Sequence, residues 1–223
     1  MQRRSALLAL VCLIAPGCGA ERAGHDNKPS TDVDLAAAVR VEAEGCRTKA
    51  SLGAGSFVGE EEVLTVAHVV AGAEQVHVVL ADGTRVVATV TAIDRKKDLA
   101  VLHVDREITP LPRGTMRPGA TGSFVVYRAD QAVALTFEAM SYVDINAPSI
   151  DHDESVLRRG YQITAEVKKG DSGSVLVSNG VATGMVFARS TTTGQKAWAV
   201  DITEADELLA SAQETAVDVG ECS

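Results

Sequence analysis

Gly170-Asp171-Ser172-Gly173-Ser174 is the stretch on which the reading of this chain turns. It stands between two runs of strand-like alternation, residues 161–167 and 175–177, so it belongs to a sharp turn between strands. A serine hydroxyl attacks a carbonyl only with a general base beside it and with donors aimed at the oxyanion that forms. Glycine on either side of Ser172 lets the backbone turn tightly enough for the N–H groups of Gly170 and Ser172 to converge on one point. Tight turns favour the same residue types for reasons of their own, so the motif gains its weight from the rest of the chain.

Two further stretches supply that weight. Leu64-Thr65-Val66-Ala67-His68-Val69-Val70 ends a strand pattern near a histidine, and Lys97-Asp98-Leu99-Ala100-Val101-Leu102 opens one on an aspartate. Taken alone, His68 reads as a core histidine and Asp98 as a solvated carboxylate beside Arg95, Lys96 and Lys97. Taken together with the serine turn, in the order His68, Asp98, Ser172, the three motifs resemble the trypsin-like serine peptidases over residues 45–202. That order differs from those of subtilisins and α/β-hydrolases.

The resemblance implies roles for these residues. His68 takes the Ser172 proton and returns it to the leaving amine, Asp98 orients the imidazole and stabilises its cation, and the Gly170 and Ser172 N–H groups receive the oxyanion. It implies an all-β fold of two antiparallel six-stranded β-barrels, chymotrypsin-like, with the site between them. The implied activity is hydrolysis of protein or peptide substrates through an acyl-enzyme, a chemistry that requires no metal and no organic cofactor. Two rival expectations stand beside it: a catalytically latent domain of the same fold acting as a peptide-binding or sensor module, and hydrolysis of a non-peptide ester. No PDZ-like segment follows, so a full Deg-type protease is not expected.

The resemblance also places the substrate. The primary pocket is expected from residues 166–169 and 187–189 and the strand near Ala197 and Trp198, with Glu166, Lys168, Phe187, Ala188 and Arg189 as the binding residues. An inward Glu166 would select Arg or Lys, Lys168 and Arg189 would reverse that choice, and a modest apolar residue fits equally well. Backbone groups of Ala188 and Arg189 would hold the peptide as an added strand. Asp171 matches an aspartate that in secreted digestive relatives receives a new N-terminal amine; no activation site precedes the first strand here, so a local partner is expected.

Composition sets outer limits. The chain has 223 residues, a formal net charge of −9 and only 4% aromatic residues. Its length suits an all-β domain of two sub-barrels, and its acidity argues against nucleic acid as the main partner. A monomer is expected.

The N-terminus reads as an export signal. Met1-Gln2-Arg3-Arg4 is basic and residues 5–15 are apolar but short for a membrane helix. Ala15-Pro16-Gly17-Cys18 resembles a lipobox, with Cys18 as the lipidation site; cleavage after Ala20 is the alternative. The expected divisions are a leader over residues 1–18, a polar tether over 19–34, a first barrel over 35–110 and a second, with a C-terminal helix and tail, over 111–223. The protein is then extracytoplasmic, secreted or lipid-anchored at the bacterial envelope, and touches the membrane only through that anchor. In an oxidising compartment Cys46 and Cys222 are expected to bridge, two free thiols being the alternative.

Strand signals fill the rest. Val39, Val41 and Ala43 alternate with Arg40, Glu42 and Glu44, and Asp82-Gly83 and Asn179-Gly180 mark tight hairpins. Residues 109–119 read as a Pro/Gly-dense linker, 146–159 as an irregular surface loop and 203–212 as a helix with Thr203 as its N-cap. His152 with Asp151, Asp153 and Glu154 reads as a solvated loop, with a cation site as the alternative.

Overall fold

The computed structural model describes residues 35–222. The expected leader, the Cys18 lipidation site and the tether as far as residue 34 lie outside them. Twelve strands form two closed barrels, each of six. The first contains β1 (Ala38–Glu44), β2 (Ser51–Phe57), β3 (Glu62–Thr65), β4 (Gln75–Val79), β5 (Arg85–Asp94) and β6 (Leu99–Val104), paired in the order β1-β2-β3-β6-β5-β4. The second contains β7 (Thr121–Arg128), β8 (Gln131–Pro148), β9 (Ser155–Thr164), β10 (Val175–Ser178), β11 (Val181–Arg189) and β12 (Lys196–Asp201), in the order β7-β8-β9-β12-β11-β10.

Period-two patterning builds these strands. In β1, Val39, Val41 and Ala43 are buried while Arg40, Glu42 and Glu44 face outward. Strands β4 and β5 turn at Asp82-Gly83, where Gly83 adopts φ +85° and the Asp82 carboxylate accepts the Thr84 N–H at 2.8 Å. Between β10 and β11, Asn179 and Gly180 both take positive φ, the requirement of a type I′ turn.

The barrels are joined through their cores. Val175, Val177, Ala182, Met185 and Ile202 of the second half pack with Phe57, Leu64 and Leu102 of the first, whereas Phe124, Phe137, Tyr161, Ile163 and Leu176 form the second barrel's own core. Each fully buried side chain of this size contributes about 1.5–3 kcal/mol of transfer free energy. Across the seam the Ala54 N–H donates to the Ser172 carbonyl at 2.8 Å, so the serine turn is stitched to β2.

Three local expectations are revised. The segment expected to be an irregular loop is mostly a ribbon: Asn146 pairs with Leu157, Ala147 with Val156 and Pro148 with Ser155, leaving only residues 149–154 as its tip. Polar composition misleads there because most of the ribbon projects beyond the barrel with little apolar surface to cover. The C-terminal helix is a 3-10 turn, Ile202–Ala205, followed by α2 (Asp206–Ser211). Its cap is Asp201, which accepts the Thr203 N–H at 3.0 Å and the Thr203 hydroxyl at 2.8 Å, so Thr203 is the capped residue.

From α2 the tail returns along the first barrel, with the Val217 N–H donating to Val90 at 2.9 Å. It brings Cys222 to 5.6 Å from Cys46 between Cα atoms, inside the range a disulfide spans.

Candidate active site

His68 sits on α1 (Ala67–Val70), a single turn whose other three residues are buried. Those anchors leave the imidazole at the edge of the core, its side chain 37% exposed to a cleft between the barrels. Asp98 precedes β6 in a left-handed conformation, φ +58°, which a short polar side chain tolerates. Both its oxygens reach His68: Oδ2 lies 2.9 Å from Nδ1, and Oδ1 accepts the His68 backbone N–H at 2.8 Å. An acceptor on Nδ1 holds a proton there and leaves Nε2 as the basic nitrogen.

The serine turn is shaped by a backbone hydrogen bond and a glycine. The Asp171 N–H donates to the Lys168 carbonyl at 3.1 Å, and Gly170, third residue of that four-residue turn, has φ +95°. With Lys169 at negative φ, this is a type II turn, which needs glycine at its third position. Among the described residues, the N–H groups of Gly170 and Ser172 donate to no protein acceptor, and both residues line the cleft. Ser172 and His68 line it together.

Asp171 turns away from the cleft and is buried. It accepts the Lys168 N–H at 2.7 Å, as a local partner would, but its ionic partner lies 43 residues back: the Arg128 guanidinium, at the end of β7. That hydrogen-bonded carboxylate raises the Arg128 pKa above its ordinary value.

The cleft has a volume of about 1110 Å³. Phe187, Ala188 and Lys169 line it. Glu166 and Lys168 do not: both are exposed and pair with each other at 2.7 Å on the surface. Arg189, at the exposed end of β11, also lies off the cleft. Residues beyond the sequence expectations complete the walls: Lys49 from the β1–β2 connection, Leu52 from the start of β2, and Pro148, Ile150 and Arg158 from the β8–β9 ribbon. Ile150 packs on Ala67 and Ala71, so the ribbon tip supports the helix that carries His68. No sequence signal marks Arg128 or Arg158, whose partners are distant in the chain.

The acidic ribbon tip behaves as a loop bound to its neighbours. Asp151 pairs with Arg95, Glu154 with Lys96 at 2.7 Å, and Asp153 accepts the Ser149 hydroxyl at 2.6 Å. Among the described residues, no group of His, Cys, Asp and Glu is arranged to hold a metal ion.

Comparison with known proteins gives the family and the fold. The family model for the trypsin-like peptidase domain matches residues 53–185. The serine protease Rv3671c of Mycobacterium tuberculosis is 34% identical over 141 residues, 60% of this chain and 35% of that protein, so the match spans about a third of the relative's length. The crystal structure of its protease in the active form superposes with a TM-score of 0.76 at 29% identity, covering 84% of this chain and 86% of that one. A probable periplasmic DegP-like serine endoprotease of Halomonas elongata is 43% identical over 61 residues, 27% of this chain and 13% of that protein.

Proposed function

We propose, since this chain belongs to the trypsin-like peptidase domain family, that it is a serine endopeptidase acting through His68, Asp98 and Ser172. The observation that carries the reading is the two-point hold of Asp98 on His68 in the cleft that Ser172 and two unconsumed N–H groups also line.

A peptide in the cleft would add as a strand to residues 187–189, which run past the last β10 pair at Met185. Its carbonyl would then lie at the Ser172 hydroxyl. Oxygen Oγ forms a bond to the carbonyl carbon while its proton passes to His68 Nε2, and the carbonyl π electrons move to oxygen. The Gly170 and Ser172 N–H groups hold that oxyanion. The imidazolium, stabilised by Asp98, gives its proton to the leaving amine as the C–N bond breaks. Water, activated by the same imidazole, then hydrolyses the acyl-enzyme.

The type II turn and its free donors favour a competent site over a latent, binding-only domain. A periplasmic relative and a cysteine pair within bonding range support an extracytoplasmic location; the protein is proposed as a monomer, secreted or lipid-anchored at Cys18 after removal of a leader. A fluorophosphonate probe tests the reading. Labelling mapped to Ser172 and lost in His68→Ala is the expected result; a folded protein that takes no label would refute an activated serine.

A further inference from the structure

Arg158 is the largest wholly buried side chain among the described residues, with 2% of its surface exposed. It lies on β9, lines the cleft, and stacks its guanidinium over the Phe187 ring at 5.5 Å from the centroid. Its Nη2 donates to the carbonyls of Lys96, at 2.8 Å, and Pro148, at 3.1 Å. Nε has no partner, and no described carboxylate lies within ion-pair distance of the guanidinium. Burial lowers its pKa below the ordinary arginine value, opposed by the fields of Asp98 and Asp94. Both carboxylates are already engaged, Asp98 by His68 and Asp94 by the N–H groups of Lys96 and Lys97.

A buried cation without a counter-ion is costly, and a carboxylate delivered beside it relieves that cost. The rest of the cleft has the same sign. Lys49 and Lys169 also line it, and Asp98 is its only carboxylate among the described residues, in a chain whose formal net charge is −9. A cationic trough in an acidic protein concentrates acidic ligands and disfavours basic ones.

Resting on the peptidase reading above, we propose that the substrates are acidic peptides, and that Arg158 is a specificity-determining residue that receives a Glu or Asp side chain on the flank of the scissile bond held by Phe187 and Ala188. Lys49 and Lys169, which are exposed, add a weaker, solvent-screened preference elsewhere in the cleft.

Binding separates this idea from the catalytic one. Full-length Ser172→Ala is titrated with short peptides that differ only in carrying Glu or Gln at one position, moved along the sequence, while the unsubstituted chain is assayed for cleavage of the same set. The expected result is a position at which Glu binds about tenfold more tightly than Gln, the strength of a charge-assisted hydrogen bond. The preference persists at about 0.5 M salt because the cation is buried, and disappears in Arg158→Met. Equal binding of Glu and Gln peptides at every position overturns the proposal without recourse to any arginine variant, and so does a preference that survives Arg158→Met. Should that variant fail to fold by circular dichroism, the salt series decides: a preference abolished at about 0.5 M salt belongs to the exposed lysines and overturns the Arg158 assignment. Selective binding with no cleavage by the unsubstituted chain would sink the peptidase reading and leave the acid preference standing.

Discussion

The guanidinium of Arg128 closes a two-pronged ion pair on the carboxylate of Asp171, Nη1 at 2.5 Å from Oδ1 and Nη2 at 2.7 Å from Oδ2. Asp171 immediately precedes Ser172 and also accepts the Lys168 N–H, so the pair fixes both ends of the turn that presents the proposed oxyanion donors. Arg128→Met leaves a carboxylate that is 1% exposed without its cation. The expected loss of stability is about 2–4 kcal/mol, below the upper figure for fully buried pairs because the arginine side is 30% exposed. The turn loosens with it, and kcat is expected to fall about 100-fold, the order seen when one oxyanion donor is lost. Adding Asp171→Asn removes the orphan charge and should restore most of the melting temperature but not kcat. Unchanged kcat in Arg128→Met would show that the pair does not position the turn.

His68 and Asp98 can be examined with a substitution that leaves the backbone content. Asp98 has φ +58°, a region asparagine shares with aspartate, so Asp98→Asn keeps the loop while removing the charge and presenting a different hydrogen-bonding group to Nδ1. A fall in kcat of about 10⁴ with KM and unfolding midpoint near those of the parent chain is expected. A change confined to KM would mean that Asp98 shapes the cleft rather than the imidazole.

What the sequence made legible was the local chemistry. His68, Asp98 and the Gly170–Ser172 turn stand in motifs a few residues long, and alternation such as Val39, Val41, Ala43 reports strands directly. Contacts made across long separations left no trace. Arg128 sits beside a hairpin turn and looks like any exposed arginine, yet it folds onto Asp171; Arg158 looks like a loop residue, yet the ribbon buries it against Phe187. The same blindness explains Glu166 and Lys168, which neighbour the serine turn in sequence but pair with each other at the surface. Sequence proximity to a site says little about side-chain direction when successive residues of an extended segment point to opposite sides.

Gly170 and Gly173 flank the serine and should fail in different ways. A Cβ on Gly173 would stand 1.9 Å from the Ala54 carbonyl oxygen, at φ +91°, where the serine turn meets β2. Gly173→Ala is therefore expected to separate the barrels locally and cost several kcal/mol, within the upper range of single substitutions. A Cβ on Gly170 meets nothing within 4 Å, so only its φ of +95° is strained. Gly170→Ala should cost about 1–3 kcal/mol, or relieve that strain by flipping the turn, with stability near the parent's and kcat sharply reduced. Denaturant unfolding and turnover measured on both variants check the contrast; equal stability losses would contradict it.

Tyr161 gives the fold an alkaline limit. Burial pushes its pKa from 10 up to about 12, with the hydroxyl donating to the Met116 carbonyl at 3.2 Å and to Asp201 Oδ2 at 3.3 Å. In the unfolded chain the phenol ionises near 10, while in the folded protein it keeps its proton to about 12. Between those values the folded state binds the extra proton, so stability is complete below pH 10 and declines as pH rises towards 12. The shift corresponds to roughly 2–3 kcal/mol for this residue, and Tyr127, also held at about 12 by burial, adds a decline of the same sign. Tyr161→Phe is expected to be less stable at neutral pH, where it lacks the hydroxyl's hydrogen bonds, and to lose less on going alkaline. Unfolding free energies of the two proteins should therefore converge as pH rises from 10 to 12. Parallel curves across that interval would mean that the Tyr161 hydroxyl ionises in the folded protein as it does in the unfolded one.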